Sequence, residues 1–189
     1  LVRSRGLGDV YKRQLYAMAG LPSETSDDLE ATAQMMLDLK KAAPGLRLTL
    51  GCSTFVPKSH TPFQWFGVNP EAERRLKFLQ KRLRSNGIDF RPESYPWSMI
   101  QALISRGDRR LTPLLEQVRE FGLGDTDNPD RISFGSYRRA FKTLRGQLPP
   151  LDYYVFRDWP LTEVLPWDHL QGPLPLETLK NHRRAALPD

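Results

Sequence analysis

Residues 15–30 read Leu15-Tyr16-Ala17-Met18-Ala19-Gly20-Leu21-Pro22-Ser23-Glu24-Thr25-Ser26-Asp27-Asp28-Leu29-Glu30, and residues 46–56 read Leu46-Arg47-Leu48-Thr49-Leu50-Gly51-Cys52-Ser53-Thr54-Phe55-Val56. The first segment opens with a short apolar run closed by Gly20, Leu21 and Pro22 and followed at once by helix-starting residues, the pattern of a buried parallel strand. Ser26 is the expected N-cap, with Asp27, Asp28 and Glu30 placed where the helix dipole favours acids. Leu29, Ala33, Met36 and Leu37 form the apolar stripe of that helix, and Pro44 and Gly45 end it. The second segment is rich in apolar and β-branched residues and reads as another strand. Strand 15–20, helix 26–43 and strand 46–56 make a βαβ unit, and the right-handed crossover makes its strands parallel neighbours. The fold class is therefore α/β.

Downstream, Pro57 to Val68 reads as a loop holding Lys58, Ser59, His60, Thr61 and the aromatic residues Phe63, Trp65 and Phe66. Asn69 and Pro70 open a helix over 70–86, with Ala72, Leu76, Leu79 and Leu83 on one face. Gly87 ends it, and Ile88 to Arg91 reads as a short strand. Three further helices are expected: over 94–106 with Ile100, Leu103 and Ile104 inward; from Thr112 to a stop at Gly122 with Leu114, Val118 and Phe121 inward; and over 133–145 with Tyr137, Ala140, Phe141 and Leu144 inward. Between the last two lies a loop rich in Gly, Asp, Asn and Pro, from Gly122 to Asp130. After Gly146 the chain is rich in proline and aromatic residues, including Trp159 and Trp167-Asp168-His169, before a short terminal helix over 176–184. No internal repeat occurs. Two regions follow: 15–92, the strand-bearing part, and 93–189, a helical extension.

Upstream, Leu1 to Gln14 has neither helical nor strand periodicity and no 7–15-residue apolar core of the kind a secretory signal needs. It resembles translated sequencing-adaptor sequence, so it is expected not to belong to the fold, and the chain is expected to begin inside a longer protein. This bears on the charge. The 189 residues hold 28 lysines and arginines against 22 acids, a formal net charge of +6. Half of that falls in residues 1–14, which carry Arg3, Arg5, Lys12 and Arg13 against Asp9. The remainder needs no polyanionic partner. No run of about 18 apolar residues marks a membrane span. The single cysteine, Cys52, excludes an intrachain disulfide and leaves far fewer than the roughly four thiolates of a self-contained iron–sulfur cluster. Its place inside the second strand reads as a small buried core residue.

Ligands bind at the strand ends of parallel α/β folds. One such end is Gly20 to Thr25, where a glycine permits close approach or positive φ and a helix N-terminus offers free N–H groups. The plainer reading is an ordinary strand-to-helix turn. The other is Phe55 to Trp65, where Lys58, Ser59 and His60 bring an ammonium, a hydroxyl and an imidazole together. Its plainer reading is a proline-stiffened loop with a solvated lysine. The basic residues Arg74, Arg75, Lys77, Lys81, Arg82 and Arg84, then Arg106, Arg109 and Arg110, then Arg138, Arg139, Lys142 and Arg145, read mainly as solvated faces. Were they to converge, an RNA substrate would be conceivable. Trp167-Asp168-His169 reads mainly as a structural corner.

The stretches LYAMAGLPSETSDDLE (15–30) and STFVPKSHTPFQW (53–65) resemble the last strands of the radical SAM barrel. The closest pattern is the family of radical SAM proteins whose longer members carry an N-terminal cobalamin-binding domain. SRGDRRLTPLLE (105–116) and LPWDHL (165–170) are similar to that family's C-terminal extension. Ser59 stands where the family pattern has proline. The resemblance covers residues 15–170 and implies a partial (β/α) radical SAM barrel followed by a mainly helical extension.

It further implies an enzyme in which a 4Fe–4S cluster, held by a Cys-x3-Cys-x2-Cys loop, reductively cleaves S-adenosylmethionine, with cobalamin as a further candidate cofactor. The resulting radical acts on a substrate the residues do not name. The cluster cysteines are not in this chain, so the chain alone is expected to be inactive, with the missing N-terminal part of the polypeptide as its partner, in the cytoplasm and without membrane contact. Gly20, Leu21, Pro22 and Pro57 are then expected at the cofactor, and Lys58 and His60 on the cofactor or substrate side of the barrel mouth. A basic nucleic-acid-binding module and a self-contained interaction domain are the competing readings.

Overall fold

The computed structural model describes residues 12–123 and 133–187. Most of the leading segment (residues 1–11) and most of the expected 122–130 loop lie outside them. The described chain is mixed α/β, with a three-stranded parallel sheet and several helices, and divides into two compact units. The first comprises described residues up to Phe55 together with Asn69–Tyr95; the second comprises Val56–Val68 and residues from Pro96 onward.

In the first unit, β1 (Lys12–Ala19), β2 (Arg47–Thr54) and β3 (Asp89–Pro92) lie side by side in chain order, all parallel. Leu15 pairs with Leu50, Ala17 with Cys52 and Leu50 with Phe90. The crossovers are α1 (Ser26–Ala42) and α2 (Ala72–Arg84). Side chains of one sheet face, among them Ala19, Leu48, Leu50 and Cys52, form a single core with Leu29, Ala33 and Met36 of α1 and Leu76, Leu79 and Leu83 of α2. Both helices therefore cover the same face. Lys40 of α1 reaches the end of α2, its Nζ donating to the carbonyls of Asn86 (2.6 Å) and Gly87 (2.9 Å).

Three details differ from the sequence expectations. β1 begins at Lys12 rather than Leu15: Lys12, Arg13 and Gln14 pair with Arg47, Leu48 and Thr49 while their own side chains stay exposed. Backbone pairing leaves no mark in the side chains, so hydrophobic pattern cannot register it. The cap of α1 is Thr25, not Ser26. Its hydroxyl accepts from the Asp28 N–H (3.3 Å), and its own N–H donates to the Asp28 carboxylate (2.8 Å), a reciprocal capping box. Asn69 caps a turn just before α2, its Oδ1 accepting from the Glu71 N–H, and the helix starts at Ala72.

The second unit holds α3 from Pro96 of its Tyr95–Ser105 span, a 3-10 turn (Arg109–Leu111), α4 (Thr112–Leu123), α5 (Phe134–Thr143), α6 (Leu151–Val155) and α7 (Leu176–Ala186). Ile100 and Leu103 are buried as expected, but Ile104 is 54% exposed, because the buried face of α3 passes through Ala102 instead. Phe141 is only half-buried. α4 continues through Gly122 to Leu123, past the stop expected at that glycine; one glycine does not end a helix whose backbone bonds continue around it. α6, a single short turn between prolines, has no periodicity that could announce it.

The main departure is Arg106. Instead of joining a basic surface it is fully buried. Its guanidinium donates to the carbonyls of Tyr154 (2.7 Å), Val155 (3.3 Å) and Arg157 (2.8 Å) and lies 3.8 Å from the centre of the Trp159 ring. Burial pulls its pKa down to about 10, with Asp158 opposing, so it is charged at neutral pH. The same strip is also held by residues 65–68: the Trp159 backbone N–H donates to the Trp65 carbonyl (2.7 Å), and the Val68 N–H donates to the Val155 carbonyl (2.7 Å) that Arg106 also reaches. Gly67 sits where a Cβ would collide with the Phe156 carbonyl. Next to Arg106, Asp108 caps the 3-10 turn and grips Arg110 through both carboxylate oxygens.

Replacing Arg106 by Met should cost about 3 kcal/mol or more, because three backbone carbonyls lose their charged donor. Arg106→Lys should recover only part of this, since one ammonium does not span three carbonyls. Urea unfolding midpoints measure both, and a Met variant within about 1 kcal/mol of wild type would contradict this role. A second expectation concerns acid. The hydrogen bonds from Arg110 hold the Asp108 carboxyl below its usual pKa. Its stabilising contribution is therefore present above the ordinary carboxylate range and disappears as pH falls through the lowered value. Asp108→Asn should lower stability at pH 7 by about 1 kcal/mol and make the acid limb of a stability–pH curve shallower.

Candidate functional site

The expected site residues fall into two sets, one in each unit: Gly20, Leu21 and Pro22 in the first, and Pro57, Lys58 and His60 in the second.

At the end of β1 the chain turns through Gly20, whose φ is +83°. A Cβ there would lie 2.8 Å from that of Ala72 and 3.3 Å from that of Asn69. The glycine is thus required twice, by its conformation and by the start of α2 packed against it. Its N–H donates to Glu24 Oε2 (2.7 Å), and the same oxygen receives the Arg75 guanidinium. The Glu24 side chain is 8% exposed and that of Arg75 19%, so this is a largely dry, charge-assisted knot. The Glu24 N–H donates to the Leu21 carbonyl, which closes the turn. Leu21 and Pro22 are half-buried. The donor at Gly20 is thus engaged internally, and Leu21 and Pro22 offer a ligand apolar contact and shape.

Thr54 stands opposite Ala19 at the end of β2, and its buried hydroxyl has no hydrogen-bond partner among the described residues. An unpaired hydroxyl at a strand end is the type of group a ligand satisfies. Sequence reasoning did not single it out, because threonine in a strand is ordinary.

The sheet face away from α1 and α2 has a different character. Tyr16 is 80% exposed, and Gln14, Tyr16, Met18, Gly51, Ser53, Arg91 and Glu93 line an open cavity of about 490 Å³. Cys52 is buried, and that burial, with the charges of Glu24 and Glu93 adding, pushes its thiol up to about 12. Such a thiol is a poor metal ligand at neutral pH. Among the described residues no group of three His, Cys, Asp or Glu side chains could hold a metal ion. This chain's own residues do not fit an iron–sulfur cluster.

In the second unit, Pro57 is buried and Lys58 exposed. Lys58 has no ion-pair partner among the described residues, and its carbonyl accepts from the Thr61 hydroxyl (2.7 Å). His60 is held at φ +56°, a left-handed conformation uncommon for a residue with a Cβ. The residue that holds it is Gln64, only 1% exposed. Gln64 Oε1 accepts both the His60 N–H (2.9 Å) and the Trp167 indole N–H (2.7 Å). His60 also packs against Gly172, where a Cβ would collide with the ring. With Gln64, Asp168 and Leu179 it lines a cavity of about 520 Å³. Gln64 carries a sequence signal of its own: an amide between Phe63 and Trp65 in a proline-bounded aromatic loop is a buried polar group in need of partners.

Trp167-Asp168-His169 is a structural corner. Trp167 packs with Trp65, Trp159, Leu165 and Leu179, the Asp168 carboxylate accepts from the Leu165 N–H (2.8 Å), and His169 is exposed. On α2, Arg74, Arg75, Lys77 and Arg82 are paired with Glu71, Glu24, Glu73 and Glu30, which removes much of that helix's positive field.

These elements define a mixed α/β protein with a parallel sheet whose strand ends carry tightly built turns. No family model and no solved structure matches the chain. An uncharacterized protein of Methanocaldococcus jannaschii is 28% identical over 107 residues, which are 57% of this chain and 24% of that protein. The chain thus matches about a quarter of that relative's length. Among the described residues no helix is long and apolar enough to cross a membrane.

Replacing Gly20 by Ala should destabilise the protein by about 2 kcal/mol or more, since strain at positive φ adds to the contact with Ala72. Gly45, also at positive φ but with open space around it, is the control. Gly45→Ala should cost only about 1–2 kcal/mol. Thermal unfolding of both variants reads the difference, and equal losses would remove the packing role from Gly20.

Proposed function

We propose that this chain is the C-terminal part of a radical SAM protein. Its first unit supplies the last strands of the (β/α) barrel, and its second unit is the helical C-terminal extension. One observation carries the reading: three parallel strands in sequential order 1-2-3, with both crossover helices on one face. Successive right-handed crossovers that advance in one direction put every helix outside and leave the other face inward, which is how a (β/α) barrel is built. A doubly wound sheet reverses its strand order and places helices on both faces.

The other sheet face supports the reading. Parallel sheets are ordinarily covered on both sides. Here Tyr16 and Met18 stand exposed beside Gln14, Ser53, Arg91 and Glu93. A barrel interior, completed by strands from elsewhere in the polypeptide, accounts for that mixture. The motif resemblances over 15–30, 53–65, 105–116 and 165–170 agree in order with it.

The complete protein in this proposal cleaves S-adenosylmethionine reductively at a 4Fe–4S cluster, whose ligands lie outside this chain. A cobalamin-binding domain upstream belongs to the same proposal. This chain contributes shape and positioning: Leu21 and Pro22 at the first strand end, Pro57 and Lys58 at the second, and His60 held by Gln64.

The test joins the chain to its upstream polypeptide, reconstitutes the product without oxygen, and measures 5′-deoxyadenosine formed from S-adenosylmethionine and a reductant. The joined protein should form it. His60→Ala should lower the rate about tenfold, the worth of one hydrogen bond of ~1.4 kcal/mol in the transition state. The present chain alone should form none. Failure of the joined protein to cleave the cofactor overturns the proposal, and an unchanged rate in the His60 variant removes that residue from the site.

A further inference from the structure

The second unit contains a cavity of about 630 Å³ that plays no part in the reading above. Its lining is mostly apolar: Ile100 of α3, Tyr137, Phe141 and Leu144 at α5, and Leu148 with the prolines that follow. Its volume is that of a small-molecule site. Arg138, Lys142 and Arg145 also line it, and all three are exposed. Arg138 and Lys142 sit four residues apart on one side of α5, and Arg145 follows just past the helix end.

The state of these three cations is unusual within this chain. The basic residues of α2 are largely paired with glutamates, whereas Arg138, Lys142 and Arg145 have no acidic partner among the described residues. Arg139, their neighbour in sequence, is engaged elsewhere, its guanidinium 4.3 Å from the centre of the Phe121 ring. Arg138 and Lys142, like charges four residues apart on α5, repel. Three cations without an acidic partner among the described residues, set around an apolar cavity, are complementary to one kind of ligand: an anionic head with an apolar body. Tyr137 adds a neutral donor. Its hydroxyl makes no hydrogen bond among the described residues, and burial raises its pKa, which keeps the proton in place.

We propose that this cavity binds a small amphipathic anion, a carboxylate or phosphate ester with an aliphatic or aromatic body. The head is held by Arg138, Lys142 and Arg145, and the body lies against Phe141, Leu144 and Leu148. The proposal is independent of the radical SAM reading, and its test involves no cofactor.

Isothermal titration calorimetry on the full 189-residue chain decides it, with octyl phosphate, octanoate, octanol and inorganic phosphate as probes. At least one of the two amphipathic anions should bind saturably at one site per chain, and which of them binds tighter identifies the head group. Octanol should bind about tenfold more weakly or worse, inorganic phosphate should not bind detectably, and added salt should weaken the anions. The double variant Arg138→Gln/Lys142→Gln, altered only at exposed positions, should lose about tenfold in affinity for the preferred anion. Equal binding of octanol and the anions, binding of inorganic phosphate as tight as that of octyl phosphate, no saturable binding by either anion, or an unchanged affinity in the double variant each overturns the proposal.

Discussion

Arg106 is a cation placed where water does not reach, and the second unit is organised around what that cation requires. A buried charge is tolerated only when fully engaged. Arg106 meets most of that demand with three backbone carbonyls and the face of Trp159, while its Nε has no hydrogen-bond partner among the described residues. The carbonyls belong to the segment that ends α6, so the arginine fixes residues 154–157 against the end of α3. The same segment also pairs with Trp65 and Val68, which makes it a wall for the loop over 56–68. Trp65, Trp159 and Trp167 pack around that wall, and Gln64 ties Trp167 to the His60 backbone. The position of His60 follows, through named contacts, from a charge buried more than forty positions along the chain.

The first unit obeys a different constraint. Three parallel strands in chain order need two crossovers of the same hand, and both helices then share one face. Helix α1 is launched by the Thr25–Asp28 box and tied at its far end to α2 by Lys40. At the strand end, Gly20, Glu24 and Arg75 close a dry knot that leaves no room for a side chain. The outcome is a rigid turn at the place where ligands of parallel α/β folds sit. The sheet face away from α1 and α2 leaves Tyr16 and Met18 exposed.

The sequence was legible where side chains carry the signal. The βαβ order, the stripes of α1 and α2 and the short third strand all follow from apolar spacing, because burial selects those positions. Backbone acts are silent by comparison: the pairing of Lys12 to Gln14 uses only amides, and α6 is too short for a period. Thr25 and Ser26 are both good caps, and only the reach of Asp28 decides between them. Arg106 was the largest miss. An arginine beside Arg109 and Arg110 reads as surface, and nothing local shows that three carbonyls more than forty-five residues away require it. The Gly20 turn was found for its conformational freedom, but its close packing against Ala72 is a tertiary fact. Around His60 the loop drew notice through its lysine and imidazole, while the group that organises it is the neutral amide of Gln64.

Fold order, the exposed sheet face and the four ordered motifs are the grounds for our proposal that this chain completes a radical SAM barrel begun elsewhere in the same polypeptide. The most direct measurement is the sequence of the natural transcript upstream of Leu15. The account predicts a Cys-x3-Cys-x2-Cys motif in frame within roughly 150–250 residues, the span set by the usual size of a barrel. A transcript whose reading frame opens shortly before Leu15, or runs through that span without the three cysteines, would contradict it.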